Sequence, residues 1–107
     1  MSDKKKNLGD GGVDLKDKED IKMKKPRKYK VVFHNDDYTP MDFVVILLAQ
    51  VFRRPIEEAA SIMMNIHEKG KGIAGVYSRE IAETKSTKAN DISKASGYPL
   101  LTTIEPE

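Results

Sequence analysis

Tyr29-Lys-Val-Val-Phe-His-Asn-Asp-Asp-Tyr-Thr-Pro-Met-Asp42 decides how this chain folds. Its first half, Tyr29 to Asn35, is β-branched and aromatic and sets Tyr29, Val31 and Phe33 on one face, the period of a strand. Asn35-Asp36-Asp37-Tyr38 carries turn chemistry. Thr39-Pro40-Met41-Asp42 opens a helix: Thr39 is a candidate cap, Pro40 suits the first helical position, and Asp42 favours the positive end of the helix dipole. A strand therefore gives way to a helix through a short acidic bend, where oxygen acceptors gather.

Working outward, the sequence predicts a helix from Pro40 to about Phe52, apolar on almost every side and therefore central and buried. Arg53-Arg54-Pro55 breaks it. A second helix is expected from Pro55 to about Lys69, with Ile56, Ala59, Ala60, Met63, Ile66 and His67 on one face and Gly70 as its left-handed stop. Ile73 to Tyr77 reads as a short strand. Ser78 caps a third helix, from Arg79 to about Ser96, with Ile81, Ala82, Ala89, Ile92 and Ala95 inward; Gly97 and Pro99 close it. Leu100 to Ile104 is the last strand. The order β-α-α-β-α-β implies a small α+β domain, a three-stranded antiparallel or mixed sheet with three helices on one face. The first strand belongs between the other two, antiparallel to both.

The chain upstream has another character. Residues 1–28 hold ten basic and six acidic residues and no aromatic, whereas 29–107 hold nine basic and eleven acidic. The Gly9-Asp-Gly-Gly12 break and the scattered aliphatics leave 1–28 too little apolar area to offset ordering entropy, so it is expected to be a disordered arm before a domain at 29–107. The overall net charge of +2 is too weak to imply nucleic acid by itself. The absence of cysteine excludes disulfides, thiolate metal sites and a Cys nucleophile and fits a reducing compartment. The longest apolar run, Phe43 to Ala49, is far below the roughly 20 residues of a membrane span. No secretory signal or acid-poor transit peptide is visible, so a soluble cytoplasmic protein is expected.

The acceptors at Asn35, Asp36 and Asp37 are the chemistry worth weighing. If the second helix brings His67 beside that bend, two carboxylates, an amide oxygen and an imidazole converge, a set suited to a cation with several N–H donors, such as an ammonium. Met41, Val44, Met63 and Ile66 would supply an apolar wall. Other chemistries fit less well. Asp36, Asp37, His34 and His67 lack metal-ligand spacing. No nucleophile elbow or phosphate-cradling loop supports catalysis. Phe33 and Tyr77 on adjacent strands lack the accompanying motif of an RNA-binding sheet.

These residues also carry a resemblance. Tyr29 to Val45 resembles the signature block of the ClpS adaptor family. Gly75-Val-Tyr-Ser-Arg-Glu-Ile-Ala-Glu-Thr-Lys85 and Pro99-Leu-Leu-Thr-Thr-Ile-Glu105 are similar to its second and third blocks, with His67-Glu-Lys-Gly-Lys71 between them. The resemblance implies a non-enzymatic, cofactor-free, monomeric adaptor of the bacterial N-end rule pathway. It would capture proteins that begin with Leu, Phe, Tyr or Trp and hand them to the AAA+ unfoldase ClpA, or a ClpC-type partner, for proteolysis by ClpP. By position, Asn35, Asp36 and His67 would grip the substrate α-amino group. Thr39, Met41, Val44, Met63, Ile66 and Leu100 would form the side-chain pocket, with Met41 excluding β-branched first residues. Ile66 stands where some members carry Val. Glu80 and Lys85 would face the unfoldase amino-terminal domain; apart from the resemblance, the length of the arm suggests that it enters the unfoldase pore or vestibule. The alternative is a generic interaction module like the carboxyl-terminal domain of the ribosomal stalk protein, indifferent to a peptide's amino group.

Overall fold

The structure, a computed structural model, describes residues 26–107. Three strands and three helices follow one another as β1 (Lys28–His34), α1 (Met41–Gln50), α2 (Ile56–Lys69), β2 (Lys71–Ser78), α3 (Arg79–Ala95) and β3 (Leu101–Pro106). The sheet order is β2-β1-β3, and β1 is antiparallel to both neighbours. The α+β architecture and the central place of β1 are as the sequence predicts. The disorder expected of the arm falls mostly outside the described residues; Lys28, assigned to it, begins β1 instead.

The core lies between one sheet face and the helices. Val31 and Phe33 of β1, Val44, Leu47 and Leu48 of α1, Ala59 and Ile66 of α2, and Ala82 and Ala89 of α3 meet there with Leu100. Phe33 meets Phe52 edge-on at 5.4 Å between ring centroids, and Tyr77 stacks beyond it at 6.3 Å. Both strand aromatics weighed for RNA therefore belong to the core side, and Phe33 is fully buried.

Register shifts between Val31 and Val32, which pair with Gly75 and Ile73 and leave Ala74 as the extra residue of a bulge. Arg54 Nε donates to the Ala74 carbonyl at 2.8 Å, so the irregular backbone keeps a partner. On the opposite edge, β3 is held by side chains of α3. Asn90 accepts from the Thr102 amide and donates to its carbonyl, both at 3.0 Å, and the Ser86 hydroxyl donates to the same carbonyl at 3.1 Å.

Several boundaries differ from the sequence expectation. The first helix begins at Met41 with Pro40 as its cap residue, and no side chain caps that position, because the Thr39 hydroxyl donates to Asp36 instead. It ends at Gln50, and only Val44, Leu47 and Leu48 are buried within it; Ile46 is 48% exposed. A domain this small cannot surround a helix on every side. In α3 the cap is Ser78, whose hydroxyl accepts from the Ile81 amide at 3.4 Å. Ala82 and Ala89 turn inward as expected, whereas Ile81 and Ala95 are exposed. The second strand is longer than the sequence suggests, running from Lys71 to Ser78 through the two glycines that blur its pattern.

Candidate functional site

The bend between β1 and α1 is built on Asp36. One carboxylate oxygen accepts from the backbone amides of Tyr38 at 2.8 Å and Thr39 at 2.7 Å. The other accepts from the Thr39 hydroxyl at 2.8 Å. Partial burial alone would raise the Asp36 pKa, but the Thr39 and Tyr38 amides and the Thr39 hydroxyl outweigh it and hold it below the ordinary 3.8. Asp36 thus stays ionised, shapes the bend, and sets a negative charge at the amino end of α1, where the helix dipole is positive. Thr39, expected in the side-chain pocket, is committed by its hydroxyl to this carboxylate.

His67 approaches through the end of α2. Gly70 takes the left-handed conformation, φ 90°, and its amide closes the helix on the Ile66 carbonyl at 2.9 Å. The Gly70 carbonyl then accepts from the Asn35 amide, also at 2.9 Å. That backbone bond ties the acidic bend to the last turn of α2, the turn that carries His67. Asn35 and His67 are both exposed, on adjoining segments. The carboxyl end of α2 adds the partial negative charge of a helix terminus, a field that favours a cation.

The apolar residues expected of the pocket belong to the core or pack against it. Val44 of α1 and Ile66 of α2, with Leu100 before β3, are nearly fully buried in the core cluster, and Met63 packs half-buried against it. Met41, at the start of α1, is 43% exposed. The residues expected to form the side-chain pocket are therefore part of the core or its edge, with Met41 and Met63 as its flexible members. Gly72 allows this seating: a methyl group there would lie 2.8 Å from Ile66 Cγ1, so only glycine lets α2 settle this close to β2. Neither Gly72 nor the Asn35–Gly70 bond stands out in the sequence, since both express the approach of distant segments. Tyr98, which meets Phe43 edge-on at 4.7 Å and braces the segment leading to Leu100, was likewise not singled out.

Three expected residues lie elsewhere. His34 is on the outer side of the sheet, its Nε2 2.8 Å from the Thr103 hydroxyl. Among the described residues no three His, Asp or Glu side chains cluster as metal ligands. Glu80 is exposed in the first turn of α3. Lys85 is half-buried: its ammonium donates to the Val51 carbonyl at 2.8 Å and lies over the rings of Tyr77 and Phe52, at 5.4 and 5.8 Å.

Comparison with known proteins bears on this arrangement. Residues 24–103 match the family model of ClpS, the ATP-dependent Clp protease adaptor protein. The chain belongs to the ClpS family. It is 51% identical over 94 residues to the ATP-dependent Clp protease adapter protein ClpS of Vibrio atlanticus, covering 88% of this chain and 89% of that one. With the ClpS of Oleidesulfovibrio alaskensis it shares 45% identity over 105 residues, 98% of either chain. A solved structure of Agrobacterium tumefaciens ClpS2 bound to L-phenylalaninamide superposes with a TM-score of 0.75 at 44% identity, over 78% of this chain and all of that one. As a ClpS protein the chain is an adaptor of the Clp protease and not an enzyme. No helix among the described residues is long and apolar enough to cross a membrane.

Proposed function

We propose that this ClpS protein binds the first residue of substrate proteins that begin with Leu, Phe, Tyr or Trp and delivers them to ClpA, or to a ClpC-type unfoldase, in the bacterial cytoplasm, working as a monomer. The observation that carries this reading is the structural similarity to ClpS2 bound to L-phenylalaninamide, a ligand with a free α-amine and a bulky apolar side chain.

Asn35, Asp36 and His67 receive the α-ammonium. It presents three donors and a positive charge to an amide oxygen, an ionised carboxylate and an imidazole, beside the negative end of α2. A hydrogen bond to a charged group is worth about 1.5–3 kcal/mol, and an acetylated end loses the charge and two donors. The first side chain enters between Met41 and Met63 onto Val44, Ile66 and Leu100, with Thr39 at the edge. Burying a Leu or Phe contributes roughly 1.5–3 kcal/mol. A branch at Cβ collides with Met41, which disfavours Val and Ile. These two contributions together give reversible capture, as transfer requires.

Glu80 offers its exposed carboxylate to the amino-terminal domain of the unfoldase, and Lys85 fixes the surface beneath it. The arm upstream of the domain engages the unfoldase pore. A reconstituted assay with ClpA and ClpP tests delivery. Adding the chain should accelerate degradation of a reporter that begins with Leu and leave its acetylated form untouched. An unchanged rate for the Leu reporter would contradict the proposal, and loss of the effect on deleting residues 2–25 with peptide binding intact would locate delivery in the arm.

A further inference from the structure

Between α2, through Ile62, Asn65 and Lys69, and the sheet face that carries Lys30, Val32 and Ile73 opens a groove of about 370 Å³. Ile62, Val32 and Ile73 give it an apolar lining, and Lys30, Lys69 and Lys71 stand around it. Glu105 is the single carboxylate there and is shared with Lys71 at 3.9 Å, so three ammonium groups face one anion. The apolar ground continues across this face. Register sets Val76 beside Lys30 and Leu101 beside His34, and Ile73, Val76 and Leu101 remain 45%, 38% and 53% exposed. A basic rim around exposed aliphatic surface fits an acidic segment with aliphatic side chains.

The chain itself contains such a segment. Asp10-Gly-Gly-Val-Asp-Leu-Lys-Asp-Lys-Glu-Asp-Ile21 holds five acidic residues against two lysines and carries Val13, Leu15 and Ile21. It lies outside the described residues. The stretch that links it to the domain, Lys22 to Lys28, holds five basic residues and no acidic one, so the sign of charge changes between linker and segment. The tether is also of suitable length. β1 starts at Lys28, two residues before Lys30 on the groove. An extended chain spans about 3.3 Å per residue, so Lys22 to Arg27 reaches roughly 20 Å, enough to turn back along the strand. Attachment makes the encounter intramolecular, with an effective concentration on the order of millimolar, which lets a weak contact be populated.

We propose that Asp10–Ile21 docks in this groove of its own domain, with its aliphatic side chains on Ile62 and Ile73 and its carboxylates against Lys30, Lys69 and Lys71. The docked arm is a resting state in exchange with a free one, and its population falls with ionic strength, because these charges stand in solvent. The inference is independent of which peptide the other site takes.

The chain has no cysteine, so Gly12→Cys, at a position that supplies none of the proposed contacts, accepts a single nitroxide label on the full-length protein. The amide signals of Asn65, Lys71 and Ile73 should then lose most of their intensity, while Thr87 and Lys88 on the far side of α3 keep theirs. Lys69→Glu with Lys71→Glu should restore the lost signals, and Asp17→Lys with Glu19→Lys added to that protein should remove them again. The arm substitutions alone, which lie outside the described residues, should also restore them. Uniform intensity across the domain would overturn the proposal. So would broadening that survives either charge reversal, or broadening that appears equally when the label is on a separate chain, which would make the occupant a second copy.

Discussion

Asp36 carries two duties that substitution can separate. Its carboxylate holds the bend through two amides and the Thr39 hydroxyl, and under the proposed function its charge meets the incoming cation. Asp36→Asn keeps an acceptor and the bend but removes the charge, so peptide affinity should fall at least about tenfold, equivalent to 1.4 kcal/mol, with little change in the urea midpoint. Asp36→Ala should lose both, with about 1 kcal/mol of stability, the usual net worth of a hydrogen bond in a part-exposed turn. The pH dependence has a defined sign. The folded pKa lies below the ordinary 3.8, so the stabilisation from Asp36 is fully present above that value and disappears as pH falls through the lower, folded one. Urea midpoints between neutral pH and pH 3 should therefore decline less steeply for Asp36→Asn than for the parent. At Gly72 the deciding quantity is space. Gly72→Ala drives a methyl group into Ile66, and overpacking of this kind costs about 1–3 kcal/mol. Ile66 must give way toward the site, so a Phe-initiated peptide should lose more affinity than a Leu-initiated one, as competition binding would report.

Among the elements, one tie joins the acidic bend to α2, the Asn35 amide on the Gly70 carbonyl, and a second, away from the bend, holds the end of α1, the Lys85 ammonium on the Val51 carbonyl. Lys85→Met keeps the aliphatic stem over Phe52 and Tyr77 and removes the donor. It should cost about 1–2 kcal/mol in urea denaturation, in the range of a hydrogen bond from a charged group discounted for its half-exposure, and leave peptide affinity near that of the parent. Lys85 also marks where sequence reading stops. The resemblance assigns it to the unfoldase interface, and only the structure shows that its ammonium has an internal partner 34 residues away. Strand β1, the Ser78 cap and the Gly70 stop were legible because each is written within a few consecutive residues. The missing side-chain cap of α1 was not, since Thr39 offers the same hydroxyl to a cap or to Asp36 and only the folded bend decides. The bulge at Ala74 and the seat of Ile66 over Gly72 escaped for a related reason: both exist only once β2 meets its neighbours.

Over the whole molecule, one core joins the helices to the sheet, and the pocket residues named in the proposed function are drawn from that core and its edge. Leu48 is fully buried in α1 and joins the sheet side to the helices. Leu48→Ala should cost about 2–5 kcal/mol and lower the single unfolding transition as a unit, without a separate helical step in circular dichroism. Peptide binding should survive wherever the domain stays folded, because Leu48 does not border the cleft proposed here. In the proposed function a free chain end is held by its charge and its first side chain together. Fluorescence anisotropy with one Leu-initiated peptide, prepared with a free and with an acetylated amino terminus, tests it most directly. The free peptide should bind saturably and the acetylated one at least about a hundredfold more weakly, the factor given by 2.7 kcal/mol of lost charged hydrogen bonding. Equal affinity for the two forms would contradict the account.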